Sequence, residues 1–310
     1  MRRLAFVFTL AGTLLGLSTA FTQAHATLLR TWVSGKGVDT NPCSLAAPCR
    51  TFAYAITQTS PGGEIDVLDP AGYGAITITK AVSIVNDGVG VAGVQAAANG
   101  IAITINAGPH DIVHLRGLAI EGAGVAQSGI QFNSGASIDI VNCVVRHFSA
   151  SGIRLMPSTT SKFAITDTFS SDNGSNGILI APQGSANLVG VINGVTTNNN
   201  HIGGLYISGL GTTGTVLNAT VVDSVTANNG FAGYQTVSNN GFVSPSLMLR
   251  DVTISNNGQY GIVSQNGVIR VAQSIAHGIF KFDASDVIYS YGDNDIVDGS
   301  FSSLTSINMQ

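Results

Sequence analysis

The chain has 310 residues, a formal charge of −4, and only 10% charged side chains against 44% hydrophobic ones. So acidic a balance does not furnish the basic surface that phosphate backbones require, and nucleic-acid binding is set aside. Glu occurs only as Glu64 and Glu121 while Gly occurs 38 times; helical domains clothe their exposed faces in Glu and Lys, so this composition speaks for strands and turns.

In chain order, Arg2 and Arg3 precede the apolar stretch LAFVFTLAGTLLGL and the small-x-small sequence Ala24-His25-Ala26. That order predicts a secretory signal peptide over residues 1–26, cleaved rather than kept as an anchor, with no membrane span thereafter. The expected location is extracellular or periplasmic. The mature chain of 284 residues would carry 11 basic and 17 acidic side chains. Trp32 is placed in an N-terminal strand region, packed near a cap. Cys43 and Cys49, in NPCSLAAPCR, are close enough to close a small loop in an oxidising compartment, which predicts a disulfide. Residues 51–59, TFAYAITQT, put Phe52, Ala55, Ile56 and Thr59 on one helical face and are read as an N-terminal capping helix. Pro61-Gly62-Gly63 then breaks the chain before Glu64-Ile65-Asp66-Val67-Leu68, the first expected coil strand.

From there a unit recurs. Gly followed by an alternating apolar triplet starts at Gly100, Gly129, Gly152, Gly177 and Gly204, and more loosely at Gly233 and Gly261, at intervals of 23 to 29 residues. Four residues before the last four glycines stand Asn173, Asn200, Asn229 and Asn257. A turn residue at a fixed offset within such a period marks a solenoid. Each unit holds about three strand-like runs, as in Ile130-Gln131-Phe132, Ile138-Asp139-Ile140-Val141 and Cys143-Val144-Val145, and none carries the helix that leucine-rich, tetratricopeptide or ankyrin repeats need. The predicted fold is all-β, a single-stranded parallel β-helix in the form of a three-sided solenoid. Coils spaced about 4.8 Å apart would stack the Asn residues into an amide ladder, with Asn and Gly also serving left-handed turns. Cys143 is placed in a strand as a buried free thiol. After Gly278 the spacing degenerates into a final coil and cap, which divides the chain into residues 27–62 (strand, disulfide loop, helix), 63–292 (coils) and 293–310 (C-terminal cap).

The run TFAYAITQTSPGGEIDVLDPAGYGAITITKAVSIV resembles the entry coils of right-handed parallel β-helix proteins of the pectate-lyase-like superfamily, and the Gly-apolar-x-apolar units continue that likeness over roughly residues 50 to 295. The resemblance implies a right-handed helix and a polysaccharide or cell-surface glycan as partner, but not a particular chemistry. Polygalacturonase-like members carry acids just before the Gly-apolar strands; those places hold Ser149-Ala150-Ser151, Gly174-Ser175-Asn176 and Phe231-Ala232. Ala276-His277-Gly278-Ile279 is similar to their Gly-His-Gly only in part, and the Asp pair of the pectin methylesterases has no counterpart. Pectate lyases hold calcium on clustered acids and abstract a proton with Arg. Here Asp223 and Asp251 would stand on adjacent rungs, where they can share a calcium ion or cap turns, and Arg146 and Arg154 are the candidate bases. The acidic run Asp293-Asn294-Asp295-Ile296-Val297-Asp298 lacks the Gly and Glu of an EF-hand loop and reads as a solvated turn.

With no catalytic set assembled, the leading expectation is a noncatalytic binding or structural module without a required cofactor, calcium being the one metal its acids could take. The alternative is a divergent polysaccharide lyase or glycoside hydrolase. Alternation places Gln131, Arg154, Leu179, Tyr206, Gln235 and Val263 outward at one repeat position, on the strand whose counterpart lines the substrate groove in the superfamily's hydrolases. Within that row, Arg154, Tyr206, Gln131 and Gln235 are the candidate ligand contacts, Arg154 for a carboxylate and Tyr206 for a sugar ring.

Overall fold

The computed structural model describes residues 28–282, 287–297 and 304–306; the expected signal peptide over residues 1–26 and Asp298 lie outside them. The chain winds through three parallel sheets for about nine coils. Among the described residues sheet A has twelve strands, beginning with Leu28–Val33, Thr59–Val67, Val82–Val85, Ile112–Arg116 and Ser137–Val141. Sheet B has ten short strands, including Ala92–Gln95, Leu118–Glu121, Val144–Arg146, Phe169–Ser171 and Val225–Ala227; sheet C has nine, including Ile101–Asn106, Ser128–Ser134, Ile153–Leu155, Asn176–Ile180, Gly203–Ser208 and Ala232–Val237. Every strand pairs with its counterpart one coil away, which is the predicted three-sided solenoid. No helix among the described residues is long and apolar enough to cross a membrane.

Period-two alternation supplies the core. On sheet A, Ile65, Ile84, Leu115, Ile140, Ile165 and Ile192 face one another through successive registers and are almost fully buried. Each such aliphatic side chain contributes roughly 1.5 to 3 kcal/mol of transfer free energy, and β-branched residues fit the pleat. The one α-helix among the described residues, Phe52–Gln58, buries Phe52, Ala55 and Ile56 as the amphipathic reading expects, with Thr59 fully buried at its end. Thr51 caps it by accepting the Tyr54 N–H, and Asp39 accepts both the N–H and the hydroxyl of Thr51.

Three separate tasks fall at the corner between sheets B and C, where Asn199-Asn200, Asn228-Asn229 and Asn256-Asn257 precede Gly204, Gly233 and Gly261. The first Asn of each pair carries the turn: Asn199, Asn228 and Asn256 have φ of 53°, 56° and 52°, a left-handed conformation that Asn tolerates better than most side chains. The second Asn makes the ladder, with Asn173 Nδ2 donating to Asn200 Oδ1 at 3.0 Å, Asn200 to Asn229 at 3.0 Å and Asn229 to Asn257 at 2.9 Å. The glycine that follows is needed for closeness and not for its φ. A Cβ on Gly204 would fall 2.1 Å from Thr226 Oγ1, and one on Gly152 2.5 Å from Ser170 Oγ. The hydroxyl of Thr226 occupies that space and donates to the Gly233 carbonyl at 3.3 Å. Gly100 does not belong to this column: Ile103, not Ile101, opposes Ile130, and Gly100 closes a turn on Ala97.

The A-to-B corner works differently. Asn142, Asp167, Asp223 and Asp251 hold φ between 49° and 52° there. Asn142 ends its strand and rotates the chain inward, so Cys143 sits in the corner rather than in a strand, 1% exposed and free. Cys43 and Cys49 are bonded to each other as expected. Their loop closes the free edge of sheet A, since Trp32 N–H donates to Cys43 O and Cys49 N–H to Trp32 O, both at 2.9 Å. In the C-terminal coils Asp293 and Asn294 accept the N–H groups of Gln273 and Ser274 and so complete a turn, and Asp295–Val297 forms a strand.

Candidate functional site

Pairing on sheet C puts Gln131, Arg154, Leu179, Tyr206, Gln235 and Val263 in one unbroken row, each directly opposite the next. The first five are half-buried on the outer face. Val263 departs from the expectation: it holds the row position but is only 1% exposed, so the solvent-facing row ends at Gln235. Arg154 Nη1 donates to Gln131 Oε1 at 3.0 Å, Gln131 Nε2 to Asn133 Oδ1 at 3.0 Å, and Asn133 Nδ2 to Asn106 Oδ1 at 2.8 Å. Burial presses the Arg154 guanidinium below its ordinary value, and it joins none of the ion pairs among the described residues. Tyr206 stands two rungs along, about 10 Å away, with Leu179 between them.

The other cationic candidate is engaged. Arg146 lies on sheet B, where its Nε donates to Glu121 at 3.0 Å. Asp223 and Asp251 occupy corner positions on neighbouring coils, and Arg250 holds Asp251 at 3.2 Å. Among the described residues no three His, Cys, Asp or Glu side chains converge closely enough to hold a metal. His277 ends a sheet B strand and is exposed.

A charged face on sheet A escapes the sequence reading. Arg30, Glu64, Ser83, His114 and Asp139 occupy one outward row, and Trp32, Asp66, Val85 and Arg116 the row two residues on. Arg30 grips Asp66 through two nitrogens and reaches Glu64 at 3.2 Å, while its guanidinium lies 5.9 Å over the Trp32 ring. Trp32 is therefore half-exposed on the outer face of sheet A, under an arginine. His114 Nδ1 meets Asp139 at 2.9 Å, and Arg116 meets Asp87 at 3.2 Å. Glu64 is held above the usual carboxylate range by burial and by the neighbouring Asp66 charge, against the pull of Arg30. The signal was present in LLRTWV, GGEIDV and DIVHLRG, each with two polar, charged or aromatic residues at i and i+2 on a short strand.

No protein-family model and no curated protein sequence matches the chain. Among solved structures it is similar to a pectate lyase, with a TM-score of 0.64 and 13% identity over 92% of this chain and 82% of the other. It is similar to a rhamnogalacturonan lyase at a TM-score of 0.59 and 12% identity, over 90% of this chain and 89% of that one. The A-module of a mannuronan C-5 epimerase of Azotobacter vinelandii superposes with a TM-score of 0.50 and 16% identity, covering 83% of this chain and 93% of the module. The fold is thus the parallel β-helix of the pectate-lyase-like proteins.

Proposed function

We propose that this is an exported polysaccharide-binding protein that holds an acid-bearing glycan along the outer face of sheet C without cleaving it. The observation that carries the reading is the state of Arg154: a half-buried guanidinium hydrogen-bonded to a neutral amide and lacking a carboxylate partner among the described residues. A partly desolvated cation without a counter-charge costs stability. A ligand carboxylate would supply that charge through paired N–H donors, and Tyr206 offers a ring for stacking two rungs away. The names of the similar structures, a pectate lyase, a rhamnogalacturonan lyase and a mannuronan C-5 epimerase module, support an acid-bearing glycan. Ser149, Ala150, Ser151 and Gly174, standing where hydrolase acids would be, support binding without cleavage.

A divergent lyase or hydrolase is the second reading, and the raised Glu64 beside Asp66 and Trp32 on sheet A favours it. Binding and depolymerisation measured together across a panel of anionic polysaccharides, with and without calcium, separate the two. Retention of an intact polysaccharide, weakened at least about tenfold by Arg154→Ala and by Tyr206→Ala, is expected. A new unsaturated product absorbing in the ultraviolet selects the enzymatic reading, and no binding by any member rejects the first.

A further inference from the structure

A depression of about 490 Å³ lies on sheet B, away from the face just described, and is within the usual range of small-ligand sites. One wall is polar. Gln95, Glu121 and Arg146 follow one another in register along it. Glu121 accepts Arg146 Nε at 3.0 Å, His147 Nδ1 at 2.8 Å and the Ala123 N–H at 3.2 Å. These donors outweigh burial and keep its carboxylate below the ordinary range, so it remains an acceptor at neutral pH. The opposite wall is apolar and holds Val91, 63% exposed.

The floor rises along one row of paired residues, Gly72, Gly93, Ala119, Val144 and Phe169, each larger than or equal to the one before. Gly72 is informative because nothing in its backbone requires glycine: its φ is not positive, and a Cβ there would meet no atom within 4 Å. Glycine weakens a strand unless something approaches it closely. Any larger residue at position 72 would project into the depression.

The charges on the polar wall cancel each other, unlike that of Arg154. A slot with no net charge, an amide, a fixed carboxylate and the remaining guanidinium N–H groups on one side, and aliphatic carbons on the other, matches an uncharged polyol with an apolar C–H face. We infer that the sheet B depression is a second carbohydrate site that takes neutral pyranose units, lodged on the Gly72–Gly93 floor and bonded to Gln95, Glu121 and Arg146.

The test is saturation-transfer NMR on the purified full chain with cellotriose, maltotriose, mannotriose and galactotriose as separate probes and trigalacturonate as the anionic control. At least one neutral trisaccharide is expected to receive transfer. Gly72→Phe, which fills the floor, and Gln95→Ala should each reduce its affinity at least about tenfold, and circular dichroism reports whether each variant keeps its sheet content. Arg154→Ala, on the other face, should leave this binding unchanged even where it abolishes retention of an acidic polymer. The inference is overturned by silence from all four neutral probes, by stronger transfer to trigalacturonate, or by indifference of a folded Gly72→Phe protein. Sedimentation showing a dimer of the native chain that Gly72→Phe dissociates would also overturn it, by assigning the slot to a second copy.

Discussion

Asn200 and Asn229 stand one coil apart with the amide nitrogen of the first 3.0 Å from the amide oxygen of the second, and both are 1% exposed. Asn229 Oδ1 also accepts the backbone N–H of Asn200 at 3.1 Å, and Asn229 Nδ2 donates to the Thr197 carbonyl at 3.1 Å. Replacing Asn229 with Leu therefore removes the partners of two buried backbone groups on the preceding coil. A loss of about 1 to 3 kcal/mol is expected for leaving such groups unsatisfied, read as a lower midpoint in urea denaturation. Asn228, its neighbour, only carries the left-handed turn, so Asn228→Gly should leave the midpoint nearly unchanged. Equal losses from the two variants would refute this division of labour.

That division marks where sequence legibility stops. The period, the ladder and the helix at Phe52–Gln58 were readable because each repeats a residue at a fixed offset or shows a face of fixed width. Which Asn of a pair would turn and which would ladder was not, because both belong to the same residue class and only φ separates them. Gly100 misled for a related reason: Gly before an apolar triplet satisfies the pattern, but the register is set by the Ile103–Ile130 pairing. The sheet C row was legible from alternation. The Arg30, Glu64 and Asp66 cluster was not, since Arg30 lies 36 residues from Asp66 and in a segment preceding the regular coils.

In its proposed role, Arg154 sets binding against stability. Its charge is partly desolvated and lacks an acidic partner among the described residues, so Arg154→Met removes an unfavourable group while retaining much of the aliphatic stem. The melting temperature of Arg154→Met should equal or exceed that of the native protein, while retention of the acidic polymer falls. A clear drop in melting temperature would show that the Gln131 bond stabilises the fold more than the desolvated charge harms it.

Glu64 gives a pH dependence whose sign follows from its surroundings. Its carboxyl in the folded protein is held above its ordinary value of 4.5, by burial first and the Asp66 charge second. The folded state thus binds the proton more tightly than the unfolded chain, and ionisation of Glu64 opposes folding as pH rises through and beyond that value. Glu64→Gln should therefore raise the melting temperature at neutral pH, and the gain should shrink as the pH falls below about 4.5. A gain that persists unchanged in acid, or a loss at neutral pH, would mean that the Arg30 contact at 3.2 Å dominates.

The disulfide closes a loop with a sequence separation of six, and that loop supplies the backbone partners of the outermost strand of sheet A. Chain-entropy arguments assign a loop of this size about 2 to 3 kcal/mol. Its effect should be local, because Cys49 N–H and Trp32 N–H bond across this edge alone while the stacked coils beyond it keep their own pairings. Reduction, or Cys43→Ser with Cys49→Ser, is expected to speed amide exchange at Trp32, Ser34 and Cys49 while Ile140 and Ile165 remain protected. Cys143 should stay unmodified by alkylating reagents in the native state, because burial pushes its thiol up to about 11. Rapid labelling of Cys143 after reduction would show instead that the edge opening propagates through the core.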